Sequence, residues 1–142
     1  FLSISITLYL NKILTEYNVV IDNLDNFVIP ITAIFSVIGH CYPVWLKFKG
    51  GKGVATGFGI LAGFDFFIFL IIVFIWLFTF VAFRISSLSA LIAFCVSPLV
   101  FLYLNTEVCF IYGALSITII IIIRHKENIF RLLKKEELKF KK

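Results

Sequence analysis

Apolar residues fall along this chain in long blocks separated by short polar breaks. Phe27–Ile38 is a short apolar block, Val54–Gly63 is apolar and rich in small residues, and Phe64–Phe83 carries a single charge, Asp65, at its start. Ala90–Leu104, extended back to about Ser87, and Val108–Ile123 are apolar as well. Phe1–Tyr17 begins apolar and then gains Lys12 and Glu16. The breaks are Asn18–Asn26, Gly39–Gly53, Arg84–Ser89 and Asn105–Glu107. A helix needs about 20 apolar residues to cross a bilayer, with roughly 17 as the short limit. The pattern predicts an all-α fold, a polytopic membrane helix bundle in one domain over 1–142. Helices are expected near 1–17, 27–38, 54–63, 64–83, 87–104 and 108–123, followed by a charged tail at 124–142.

Whether Val54–Phe83 is one helix or two decides the topology. One helix would be about 45 Å long at 1.5 Å per residue, against a hydrocarbon core of about 30 Å. A break at Gly63–Asp65 divides it. The loop Lys47–Lys52, Arg84 and the tail then share one side, with twelve of the thirteen Lys and Arg. Lys12, Asp22, Asp25, Asp65 and Glu107 fall on the other. By the positive-inside rule the basic side is cytoplasmic.

Composition agrees with lipid rather than water as the solvent. Hydrophobic residues make up 61% and charged residues 15%, where soluble domains hold about half and about a quarter. The cysteines Cys41, Cys95 and Cys109 show no paired spacing, so neither a disulfide framework nor a zinc site is expected. The chain starts at Phe1 and contains no Met. An N-terminally incomplete or processed sequence is therefore expected, and Phe1–Leu10 lacks the basic start and cleavage site of a signal peptide.

The chemistry concentrates in Gly39–Thr56, GHCYPVWLKFKGGKGVAT. Seven of the eight glycines lie between Gly39 and Gly63, and Gly50, Gly51 and Gly53 surround Lys52. Glycine permits positive φ and close backbone approach, successive N–H groups can form an anion-binding concavity, and the helix expected from Val54 would add its positive end. Lys47, Lys49 and Lys52 supply full charges. Lysines beside a membrane helix are also ordinary topology signals and headgroup contacts, but topology needs lysine and not glycine. The segment is not a Walker A loop, because Leu46 and Gly53 stand where Gly and Ser or Thr are required. His40 sits where Pro43 limits the preceding helix. A lone histidine at such a boundary is more often an interface residue than a catalyst.

In the tail, Arg124, His125 and Asn128 emerge on one helix face at the end of the last apolar block. They lie on the same side as the glycine loop and form a polar wall suited to a phosphate. Beyond them, Ile129, Leu132 and Leu133 amid basic residues read as a helix on the membrane surface.

These two segments resemble the bacterial membrane acyltransferases that use acyl phosphate to acylate glycerol 3-phosphate, the PlsY family. The family's second motif looks like Gly39–Thr56, with Tyr42 in place of the usual Phe. Its third looks like Arg124, His125, Asn128, Ile129, Arg131, Leu132 and Glu137, with Lys135 where Gly is usual. A first motif, Ser-Gly-Asn-x-Gly-Ala-Thr-Asn, is not found and would precede Phe1. The resemblance implies about six of an expected seven transmembrane helices, with the motifs converging on the cytoplasmic face of a bacterial inner membrane. It implies transfer of an acyl group from acyl phosphate to the sn-1 hydroxyl of glycerol 3-phosphate, giving lysophosphatidic acid for phospholipid synthesis.

In that chemistry Lys47, Lys49, Lys52, Gly50, Gly51 and Gly53 suit the phosphates, and Ser87 falls where the family places a serine. Asn128 belongs with the substrate-binding set. His40 and His125 are the imidazoles that could orient the hydroxyl or act as base; the departing phosphate can also accept the proton, so the choice between them stays open. No cofactor, metal or nucleic-acid partner is expected; the expected partners are the two substrates and membrane lipids. The competing readings are an inactive remnant lacking the first motif and a phosphate-binding subunit of a membrane transporter. The second would ordinarily show internal repeats, and none is visible.

Overall fold

The structure, a computed structural model, describes residues 4–6, 9, 12–13 and 24–140. The helix expected over 1–17 and the loop 18–26 lie largely outside these. From Leu24 the described chain is helical: α1 Leu24–Cys41, a 3-10 turn Val44–Leu46, α2 Val54–Phe64, α3 Phe66–Phe83, α4 Ser86–Tyr103, α5 Val108–Arg124 and α6 Lys126–Leu133.

The break inside Val54–Phe83 falls at Asp65, whose extended backbone (φ −154°, ψ 118°) closes α2 and opens α3. Its carboxylate accepts the Ile68 N–H at 2.8 Å, an N-cap that meets one of the orphan donors of the new helix. α3 and α4 then meet at Arg84, which takes a left-handed conformation (φ 58°) and so reverses the chain.

Each helix buries one stripe. Ile29, Ala33, Val37 and Cys41 recur every fourth residue along α1 and are fully enclosed, as helical periodicity requires of a single packed face. They meet Ile117 and Ile121 of α5, Ile60 and Leu61 of α2 and Phe94 of α4 in one core. Phe35, Phe74, Phe78, Val81 and Ile119 are exposed. Large apolar side chains on outward faces suit lipid, whereas water would penalise them. Among the described residues three helical segments, Val28–Leu46, Phe66–Phe83 and Ser86–Tyr103, are long and apolar enough to cross a membrane; α5 and α6, bent by 63°, can make a fourth. α2 is a shorter apolar helix of 11 residues.

Two devices hold the bundle together where no water can help. Pro98 inside α4 has no N–H to give the carbonyl four residues back, which is that of Phe94. Ser97 Oγ and Thr118 Oγ1 donate to this oxygen instead, at 2.9 and 2.7 Å, and the second bond ties α5 to α4. Glycines admit aromatic rings: a Cβ on Gly57 would lie 2.7 Å from the Phe94 ring, and one on Gly113 2.5 Å from the Phe64 ring. Small residues letting neighbours approach are a common solution for packing in membranes.

Candidate functional site

Three helices begin at one place. Val54 opens α2, Ser86 and Ser87 open α4, and His125 and Asn128 stand at the start of α6; all five line a cavity of about 350 Å³. None of the three helices carries a side-chain cap on its first-turn N–H groups. Each helix start therefore presents uncapped donors and the positive end of its dipole, a combination that favours an anion. Lys52 and Arg131 add charges to the same wall.

The residue that organises the far side is Glu137. Its carboxylate accepts from Ser87 Oγ at 2.6 Å, from Asn128 Nδ2, and from Arg131 Nε at 2.7 Å. Burial by itself would raise this carboxyl. The three hydrogen bonds and the Arg131 charge outweigh it and bring the group down to about 2. The chain reaches this point through Lys135, which adopts φ 60°. That is the left-handed region where a residue other than Gly is strained, and it gives the glycine usual at this motif position a physical reason. Past Glu137, Phe140 N–H donates to the Arg84 carbonyl at 2.9 Å and its ring stands edge-on to Phe80. The tail is thus folded back onto the bundle.

His125 is 1% exposed. Its Nδ1 lies 2.8 Å from the Ile121 carbonyl oxygen. A carbonyl can only accept, so Nδ1 carries the proton and Nε2 is left as the acceptor of a neutral ring. Burial lowers the imidazole below its ordinary value, the Ile121 bond opposes this, and the charge of Lys52 reinforces it.

The glycine loop is shaped by packing. A Cβ on Gly50 would lie 2.2 Å from the His40 carbonyl oxygen, and one on Gly51 2.5 Å from His40 Nε2. Gly53 has φ 81° and would strike Val37 at 2.8 Å. The loop is pressed against the end of α1, with backbone in the way of a side chain at Gly50 and the His40 and Val37 side chains in the way at Gly51 and Gly53. From the opposite side Arg124 donates from Nη2 to the carbonyls of Gly50 and Gly51, both at 3.1 Å, and from Nε to Gly51 at 3.2 Å. Its guanidinium also lies 4.7 Å from the centroid of the Tyr42 ring. Lys52 follows the clamped glycines and lines the cavity. It also lines a second, smaller cavity of about 220 Å³ with Tyr42, Gly50, Arg124, Lys126 and Glu127.

The sequence candidates therefore separate. Lys52, Ser87, His125 and Asn128 line the larger cavity, and Gly50 lines the smaller one. Gly51 and Gly53 shape the loop behind them. His40 lies at the end of α1 with its ring against Gly51 and lines neither cavity; Lys47 and Lys49 are exposed on the 3-10 turn and its exit. Glu137 and Arg131 belong to the third-motif resemblance and lie outside the set of expected site residues, yet both line the larger cavity. The available signal was an acid matching that motif within a strongly basic tail. Among the described residues no group of three His, Cys, Asp or Glu is placed to hold a metal.

A sequence profile described as glycerol-3-phosphate acyltransferase matches residues 3–135. The chain is 42% identical over 111 residues to a glycerol-3-phosphate acyltransferase of Anaplasma phagocytophilum, covering 77% of this chain and 56% of that one. It is 39% identical over 116 residues to the protein of that name in Neisseria gonorrhoeae, covering 82% and 58%. The chain thus spans little more than half the length of these relatives. Its fold is similar to the crystal structure of PlsY, an integral membrane glycerol 3-phosphate acyltransferase, in the glycerol 3-phosphate form. The TM-score is 0.72 at 32% identity, covering 89% of this chain and 72% of that one. The lysophosphatidic acid form of PlsY matches with the same TM-score.

Proposed function

The chain belongs to the glycerol-3-phosphate acyltransferase family, and from that premise we propose that it transfers an acyl group from acyl phosphate to the sn-1 hydroxyl of glycerol 3-phosphate. The observation that carries this reading is the cavity at three uncapped helix starts, lined by Lys52, Ser87, His125 and Asn128. Its volume falls within the roughly 300–1,000 Å³ of small-molecule sites. Donors, dipoles and a lysine converging there suit a substrate phosphate, and the apolar outer faces of the helices suit an acyl chain delivered through lipid. The site is read as opening on the cytoplasmic face of the inner membrane.

In the step proposed, the hydroxyl oxygen attacks the acyl carbonyl carbon, the bond from that carbon to the phosphate oxygen breaks, and inorganic phosphate leaves. The hydroxyl proton passes either to His125 Nε2 or to the departing phosphate. His125 fits the first route because its Nδ1–H bond to Ile121 and its burial favour the neutral ring with Nε2 free to accept. His40, outside the cavity, is left with the steric role of backing Gly51. The test is acylation of labelled glycerol 3-phosphate in vesicles supplied with acyl phosphate. Lysophosphatidic acid and phosphate formed in equal amounts support the reading; binding of glycerol 3-phosphate with uptake and no acylation would replace it with transport.

A further inference from the structure

Between the end of α1 and Gly50 the chain makes a compact turn whose every residue from Val44 to Lys49 is exposed. Four of the six are large and apolar: Val44 is 70% exposed, Trp45 81%, Leu46 54% and Phe48 61%. The other two are Lys47 and Lys49, which line neither cavity. In water such a cluster is costly, and none of the described residues covers it.

The turn pairs four of its six backbone N–H groups within itself. The N–H groups of Leu46 and Phe48 donate to the Pro43 carbonyl, that of Lys47 to Val44 and that of Lys49 to Leu46, at 3.0–3.1 Å. Segments at membrane depth need this, because lipid offers backbone groups no partner. The shape is held although Lys47 and Phe48 both take positive φ, 51° and 62°, which costs about 1–2 kcal/mol per residue outside glycine. The turn also continues a membrane span: the apolar crossing segment that takes in α1 from Val28 onward runs to Leu46, into the turn itself.

We propose that Val44–Lys49 is seated in the bilayer surface, with Trp45, Val44, Leu46 and Phe48 at the boundary of headgroups and acyl chains and Lys47 and Lys49 on anionic headgroups. Tryptophan prefers this level, and a basic residue near an anionic leaflet is attracted to it. The proposal stands on exposure, backbone pairing and continuity with α1, and holds whether or not the acyl-transfer reading does. It gives Lys47 and Lys49 a lipid phosphate as partner and anchors the loop Gly50–Gly53 at the membrane level.

The test uses the chain in phosphatidylcholine–phosphatidylglycerol vesicles. The protein holds two tryptophans, so Trp76→Phe isolates the emission of Trp45. Lipids brominated near the headgroup end are expected to remove about half or more of that emission, with little quenching by aqueous acrylamide, as for a side chain at the headgroup–acyl boundary. Replacing Lys47 and Lys49 by Gln is expected to abolish any gain in quenching when phosphatidylglycerol replaces phosphatidylcholine. If Trp76→Phe disturbs the bundle, the difference in emission between the native chain and Trp45→Phe gives the same reading. Quenching by acrylamide alone would overturn the proposal by putting the turn in water. Shielding from both quenchers would overturn it too, by showing the turn covered by protein such as a second copy.

Discussion

Ser87 Oγ donates to Glu137 Oε1 at 2.6 Å across 50 residues of sequence. The bond joins the first turn of α4 to the tail beyond α6, and the same carboxylate binds Asn128 and Arg131. One wall of the cavity is therefore assembled around a single half-buried carboxylate, with the positive starts of α2, α4 and α6 around it.

Removing that anion should loosen the wall. Glu137→Ala deprives Ser87, Asn128 and Arg131 of their acceptor, and hydrogen bonds to charged groups are worth about 1.5–3 kcal/mol each. The expected result is faster tryptic cleavage at Lys134, Lys135 and Lys139 in vesicles, with Glu137→Gln intermediate. Unchanged cleavage in Glu137→Ala would contradict this role.

Acid should act through the same residue. The folded carboxyl is held at about 2, so its stabilisation is fully present above about pH 4.5 and is lost as pH falls from there toward about 2. His125 acts earlier. Burial lowers its imidazole below the ordinary 6.5, so the unfolded chain binds the proton first and stability declines as pH drops below 6.5. Thermal unfolding across this range should show two successive declines. A melting temperature unchanged down to pH 4.5 would contradict the His125 environment.

Backbone conformation predicts opposite signs at two positions. Lys135→Gly relieves a positive φ in a residue with a side chain and is expected to stabilise by about 0.5–1 kcal/mol, the relief being partly offset by the freer unfolded chain. Gly53→Ala creates the same strain at φ 81° and adds a contact of 2.8 Å with Val37, costing about 2 kcal/mol or more. Denaturation of both variants in detergent checks the pair. Equal signs would show that conformation is not the controlling term.

Much of the helical pattern was legible in the sequence because lipid demands long apolar blocks, and block length together with the placement of Lys and Arg favoured a break near Gly63–Asp65. The ends were less legible. α1 runs to Cys41, past the exposed Gly39 and His40, because a helix can carry exposed residues, polar or small, at its terminus. In the site, the pairing of Lys52 with His125 and Asn128 could be anticipated from charge topology and motif match. The roles within the glycine loop could not. A glycine that makes room for His40 and one that bares an N–H to a phosphate look alike in sequence, and only the close contacts of Gly50, Gly51 and Gly53 separate them. Nor does residue type tell Lys47 from Lys52; the turn at Lys47 and Phe48 places one outside and the other at the cavity.

The central claim is that substrate phosphate binds beside Lys52 and not beside Lys47 or His40. Acyl transfer to glycerol 3-phosphate by Lys52→Ala, His125→Ala, Lys47→Ala and His40→Ala, compared in the same vesicles, tests it most directly. The first two should lose about 100-fold or more in kcat/KM, the scale of a lost electrostatic or proton-handling group, while the last two stay within about tenfold of the parent. Full activity in Lys52→Ala, or equal losses in Lys47→Ala and Lys52→Ala, would contradict the claim.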